Sequence, residues 1–195
     1  REEYSALLRE MINTNLIPFL IHLLALRDPH AKRHCDQVAK QSSALAVKIG
    51  LSSVEIENLE FAATIHDIGK IAINDFILNK PGRFTEAEYL MIQHHTVLGS
   101  NLVASLSLDP IIPAIILNHH ENFDGSGYPN KKIGDQIPLE ARIIRIADTY
   151  DALTSNRAYH PAYTHEQALN IMELEQHYFD PQLFEIFINI NYKEQ

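Results

Sequence analysis

Apolar residues recur along most of this chain at the three- and four-residue spacing of amphipathic helices, and no stretch alternates as a strand would. Residues 3–26 read as one long helix or two short ones, with Pro18 as the break or kink, because proline lacks the backbone N–H a helix interior needs. Residues 30–49 read as a helix ended by Gly50. Ser52 or Ser53 can cap the next helix, which carries the apolar residues Ile56, Leu59, Phe61, Ala62 and Ala63 toward His66 and ends by Asn74. Lys80-Pro81-Gly82 marks a turn. Thr85 followed by Glu88 matches a capping box and opens a helix expected to reach about residue 105. Asp109 and Pro110 open another, ending near His120. Residues 121–138, rich in Gly, Asn, Asp and Pro, read as a functional loop. Further helices are expected at about 139–154, 164–178 and 180–190. The pattern predicts an all-α fold in a single multi-helix domain.

Composition narrows what such a domain does. The chain has 195 residues, enough to bury a sizeable core without staples. One cysteine, Cys35, excludes an intrachain disulfide and fits a reducing, cytoplasmic setting. Beside His34, Cys35 reads as a small buried apolar residue. A formal charge of −9 argues against long nucleic acid as a partner. The apolar run Leu16 to Leu26, interrupted by Pro18 and His22, is too short to span a membrane, so no membrane contact is expected. The first residue is Arg1 rather than Met, and the expectation is the output half of a longer protein with a regulatory domain upstream.

The chemistry lies in the histidines, of which there are 11. His34, His66, His95, His119 and His120 fall in or at the ends of expected helices, as do Asp67 and Asp148. His22, His165 and His177 read as ordinary surface or core residues. His94 and His95 are adjacent, and spacing does not choose between them. Neighbouring residues on a helix point about 100° apart. The pair His66-Asp67 therefore suits a site assembled between several helices, with the carboxylate bridging two ions. A mixed imidazole and carboxylate set favours a transition metal or zinc over magnesium or calcium. Two such ions can clamp the attacking and leaving oxygens of a phosphoester.

The motifs carry a resemblance. Ala63-Thr-Ile-His66-Asp67-Ile-Gly69-Lys70-Ile71 resembles the HDxGK core of the HD superfamily. His119-His120-Glu121-Asn122-Phe123-Asp124-Gly125-Ser126-Gly127-Tyr128-Pro129 resembles the HHExxDGxGYP loop of HD-GYP domains. Ile137-Pro138-Leu139, Ala141-Arg142-Ile143, Ile146-Ala147-Asp148 through Asp151 to Ser155, and Phe179-Asp180-Pro181 are similar to that family's later blocks. The resemblance covers roughly residues 25–190. It implies residues 27–195 as the catalytic domain, with residues 1–26 a helix or linker leading to the upstream domain.

The same resemblance implies a cyclic di-GMP phosphodiesterase with two divalent transition-metal ions, iron or manganese. The implied metal ligands are His34, His66, Asp67, His95, His119, His120 and Asp148, with Asp67 bridging. His95 is chosen because Gly99 follows it by four. Lys70 would join Asp67 in catalysis and neutralise charge developing on the scissile phosphate. Arg157, His160, Tyr128 and Lys70 would contact substrate. His160 stands where the family often has lysine, which makes one phosphate contact pH-dependent. His30 stands where some members have a third-metal glutamate, and is a candidate for a third ion. Gly125 and Gly127 are expected to give the loop positive φ. Cyclic di-GMP is the implied partner, together with diguanylate cyclase domains at the loop. The implied product is pGpG, with GMP as a further step. Two alternatives stand beside this reading: a catalytically weak module that senses nucleotide or binds a cyclase, and a hydrolase of another cyclic dinucleotide.

Overall fold

A computed structural model describes residues 11–106, 108–156 and 161–193. Among them helices pack around one core and no strand occurs. In chain order the helices are α1 (Ile17–Arg27), α2 (Ala31–Ile49), α3 (Ser53–Ile65), α4 (Asp75–Leu78), α5 (Glu86–Gln93), α6 (His95–Ala104), α7 (Ile111–Asn118), α8 (Leu139–Thr154), α9 (His165–Leu174) and α10 (Pro181–Lys193). Among the described residues no helix is long and apolar enough to cross a membrane.

Local chemistry sets the boundaries. Gly50, at φ +82°, ends α2, its N–H reaching back to the Ala46 and Val47 carbonyls. Only a residue without Cβ takes that left-handed geometry freely. Reciprocal capping boxes open α3 (Ser52 with Glu55), α5 (Thr85 with Glu88) and α9 (Thr164 with Gln167). Each satisfies N–H groups that a helix start leaves without partners.

Three boundaries differ from the sequence expectation. Pro18 sits in the first turn of α1, where its missing N–H costs nothing, and a π-helical segment (Ile12–Leu16) precedes it. The helix expected from Thr85 to about residue 105 divides at His94. There the His95 ring takes the Ile92 carbonyl (2.7 Å) and the Thr96 hydroxyl takes that of Gln93 (3.1 Å). These are carbonyls that a continuous helix would bond through its backbone. Finally, α9 stops at Leu174, and a separate 3-10 turn follows at Gln176–Tyr178.

Helix α2 packs on α3 and α8, and α6 packs on α7 and on a 3-10 turn at Ile68–Ala72. Leu45, Leu59, Ile65, Ile115, Ile116, Ile143 and Ile144 are fully buried where these helices meet. Each such side chain contributes about 1.5–3 kcal/mol relative to exposure. Helix α1 adds Leu20, Ile21 and Leu24 to the same core. Arg27, at its end, donates to the Ile71 and Ile73 carbonyls and pairs with Asp75, which pins the Ile68–Ala72 turn. Arg142 joins Asp135 (2.8 Å) to Asp180 (2.7 Å), and Asp180 caps α10. The motif residues Arg142 and Asp180 therefore brace the fold.

Candidate metal centre

Helices end with carbonyls that lack backbone partners. Three helix ends here are closed by histidine rings. Nδ1 of His66 lies 2.7 Å from the Ala63 carbonyl, that of His95 2.7 Å from Ile92, and that of His119 2.6 Å from Ile116. A carbonyl only accepts, so each ring holds its proton on Nδ1 and presents a lone pair at Nε2. These lone pairs converge. His95 Nε2 and His119 Nε2 are 3.3 Å apart, two acceptors facing each other with no proton to share. His66 Nε2 and Asp67 Oδ1 are buried without a hydrogen-bond partner. Buried polar atoms left without partners are rare, and a cation between them satisfies them together. The donor set fits a divalent metal.

Asp67 stands at the middle. It begins the Ile68–Ala72 turn directly after α3. Ligand atoms of Asp67, His95, His119 and His120 lie within 4.8 Å of one another, as do those of His34, His66 and Asp67. Asp67 thus belongs to both groups. Asp148, on α8, lies 3.2 Å from His34 Nε2 and 3.8 Å from His120 Nδ1, between the same two groups. His95 is buried in the cluster, whereas His94 is exposed and its ring bonds the Leu90 carbonyl (3.1 Å).

Protonation fits this arrangement. Burial lowers His95 to about 4 and holds His119 and His120 well below the ordinary histidine value, so these rings are neutral lone-pair donors. Burial opposes ionisation of Asp67, but Lys70 and the surrounding histidines hold it well below the usual carboxylate range. Burial likewise opposes ionisation of Asp148, and His34 and His120 overcome it. His34 differs: burial would lower it, but its bonds to Asp148 and Asp151 raise it to about 10. Its Nδ1 lies 2.6 Å from Asp151, a buried carboxylate.

Asp151 falls in a motif block of the sequence, which gives it no role. The available signal was its spacing, since it follows Asp148 by three and so shares that face of α8.

The cluster opens into a cleft of about 600 Å³. Lys70, Arg33, Lys80, Arg145 and His30 contribute to its wall, beside the carboxylates of Asp28, Asp67, Asp148 and Asp151. Lys70 Nζ donates to Asp67 Oδ2 at 2.6 Å. Burial would lower the Lys70 ammonium, but Asp67 raises it, so it stays charged beside the cluster. His30 is exposed on the cleft wall and joins neither group of ligand atoms. Arg157 and His160 lie outside the described residues.

The loop after α7 forms the back of the site. Glu121 is buried and accepts from the backbone N–H groups of Asn130 (2.6 Å) and Lys132 (3.1 Å), closing the loop on itself. The Tyr128 N–H returns to the His120 carbonyl (3.1 Å), and the Tyr128 ring lies against the His120 ring with centroids 4.9 Å apart. Burial raises the Tyr128 phenol, which stays protonated. Gly125 takes positive φ (+83°), as expected, but Gly127 does not. Gly127 is required by space instead: a Cβ there would stand 2.2 Å from the Asn122 nitrogen and 2.5 Å from the His120 carbonyl oxygen. The sequence reading missed Asn122 and Arg145, which join this loop to α8 through Arg145 Nε–Asn122 Oδ1 (2.8 Å).

The chain matches the HD domain family over residues 18–183. It is 39% identical over 166 residues to the cyclic di-GMP phosphodiesterase response regulator RpfG of Xanthomonas campestris pv. campestris (strain 8004), covering 83% of this chain and 44% of that protein. It is 35% identical over 176 residues to 3'3'-cGAMP-specific phosphodiesterase 2 of Vibrio cholerae serotype O1, covering 89% of this chain and 34% of that protein. Among solved structures it resembles the cyclic GMP-AMP specific phosphodiesterase V-cGAP3 of V. cholerae, with a TM-score of 0.70 at 21% identity, over 91% of this chain and 49% of that one. The chain therefore spans half or less of the length of these proteins. With the match running through nearly all of the described helices, and with the histidine and aspartate cluster at their centre, this chain belongs to the HD domain family.

Proposed function

We propose that this chain is the catalytic domain of a phosphodiesterase that hydrolyses cyclic di-GMP to linear pGpG using two divalent transition-metal ions, iron or manganese. The observation that carries the reading is the convergence of Nε2 lone pairs, fixed by helix-end carbonyls, on a carboxylate shared by two ligand groups. His34, His66, Asp67 and Asp148 would hold one ion, and Asp67, His95, His119 and His120 the other. When bound, such ions supply Lewis acidity and an activated water for attack on phosphorus.

The chain's own groups do the rest. Neutral His95, His119 and His120 would leave the charge of bound ions largely uncompensated, so that a loaded centre would attract a phosphodiester. Asp67 bridges the two ligand groups. Lys70 stays ammonium beside Asp67 and offsets charge gathering on a phosphate oxygen as the P–O3′ bond breaks. Tyr128 buttresses His120 and fixes its ring. His30 lines the cleft beside this cluster.

A second substrate reading has its own observation, because three relatives at 35–36% identity are named as specific for 3'3'-cGAMP. One experiment tests both. Protein loaded with manganese or iron is given cyclic di-GMP, 3'3'-cGAMP and cyclic di-AMP, with products separated by chromatography. The expected result is turnover of cyclic di-GMP to pGpG, lost in Asp67→Ala. A preference for 3'3'-cGAMP would replace the substrate assignment. Binding without turnover of any cyclic dinucleotide would favour a sensing module, and full activity in Asp67→Ala would overturn the bridging role.

A further inference from the structure

Arg145 is a partly buried cation that the reading above leaves without a task. It sits on α8 three residues before Asp148, about 4.5 Å along the helix axis. It lines the same cleft as Asp148, Thr149 and His120. Neutral groups hold its guanidinium on three sides. Nε donates to Asn122 Oδ1 at 2.8 Å, one Nη donates to the Thr149 hydroxyl at 2.6 Å, and the group lies 5.8 Å over the centre of the Phe179 ring. Arg27 and Arg142 both pair with carboxylates; among the described residues none pairs with Arg145. Its second Nη donates to no group among them.

An immobilised guanidinium without a counter-anion, in a cleft wall, is a preformed anion site. Side chains that could neutralise it are instead neutral acceptors that set its direction. The proposed ligands already account for the scissile phosphate, so the anion is a different group of the same substrate. A cyclic dinucleotide has one, its second phosphodiester.

We propose that Arg145 is a substrate-binding residue that donates to the non-scissile phosphodiester of the cyclic dinucleotide. This rests on the phosphodiesterase reading. The test is steady-state kinetics of Arg145→Gln and Arg145→Lys on cyclic di-GMP, with metal content and unfolding midpoint measured alongside. A charge-assisted contact of this type corresponds to about a 10- to 100-fold rise in KM for Arg145→Gln. The smaller part of the effect should fall on kcat, and the dependence of KM on salt should become shallower. Arg145→Lys should recover most of the KM, because a lysine serves a phosphate as a point charge. A lysine variant as impaired as the glutamine one, with wild-type metal content, would overturn the phosphate assignment in favour of paired bonds to a guanine edge, which an ammonium does not reproduce. An unchanged KM in Arg145→Gln, with the wild type active, would overturn the inference alone. A wild type that turns over no cyclic dinucleotide would overturn the phosphodiesterase reading itself, and this inference with it. Should the glutamine variant not fold, Arg145→Met, which keeps the apolar stem and removes the charge, carries the test through its KM and salt dependence.

Discussion

A methyl group on Gly69 meets backbone, and that makes it a sharp probe of how the site is built. A Cβ on Gly69 would stand 1.9 Å from the His95 carbonyl oxygen, 2.6 Å from the Gly99 nitrogen and 2.8 Å from the His95 carbonyl carbon. Real Cβ atoms do not approach heavy atoms within 3.0 Å, so the Ile68–Ala72 turn must retreat from α6 by about 1.1 Å. The two bodies forced apart carry Asp67 and Lys70 on one side and His95 on the other. Overpacking of this kind costs about 1–3 kcal/mol of stability. Reactive geometry tolerates about 0.5 Å, and a 1 Å misplacement costs about 100-fold in rate.

Gly69→Ala should therefore lose at least about 100-fold in kcat/KM on cyclic di-GMP at saturating manganese, with a lower urea midpoint. Two other glycines calibrate the result. At Gly99 a Cβ meets the Gly69 nitrogen at 3.1 Å and the Ile116 and Ile68 methyls at 3.3 and 3.4 Å, so shifts of a few tenths suffice and the rate loss should stay under about tenfold. At Gly50 nothing lies within 4 Å, but φ is +82°. Gly50→Ala should lose about 1–2 kcal/mol of stability and no activity. A Gly69→Ala protein with wild-type turnover and metal content would refute the argument, as would a Gly50→Ala protein with an equal loss of activity.

Two further outcomes follow from His34. Its Nδ1 is held by Asp151, so Asp151→Ala should weaken metal binding about 10- to 100-fold, with turnover recovered at excess metal and binding partly restored in Asp151→Asn; equal metal affinity across the three proteins would refute a positioning role. The second outcome concerns pH. In metal-free protein the His34 value is raised to about 10, so its imidazolium stabilises the fold fully below about pH 6.5, a contribution lost as pH rises toward 10. Metal uptake has the opposite preference, because Nε2 must shed that proton. His95, His119 and His120 are already neutral, and Asp67 and Asp148 already ionised. Metal affinity should therefore rise by about tenfold per pH unit between about pH 7 and 9, one proton released per ion bound at this site. Calorimetry in buffers of different ionisation heat would count that proton, and a pH-independent affinity would refute the reasoning.

Much of the architecture was legible in the chain itself. Gly50, Ser52 with Glu55, and Thr85 with Glu88 act through bonds to residues a few positions away, so their effect survives in the linear sequence. The residues of the histidine and aspartate cluster were legible for a different reason, since many of them fall in motifs around His66-Asp67, His119-His120 and Asp148. What the sequence did not carry were relations between elements distant along the chain. That Asp151 reaches His34, 117 residues away, depends on α2 lying against α8. That Gly127 is needed for space rather than for φ depends on the loop folding back on His120 to Asn122. That Arg145 has no carboxylate partner among the described residues depends on which side chains Asn122, Thr149 and Phe179 bring around it. Local hydrogen bonding and helical periodicity are properties of neighbours in sequence and are written there. The protonation of a buried ring, the clearance at a glycine and the charge balance of a cleft arise only once packing removes water and sets segments from across the chain against one another.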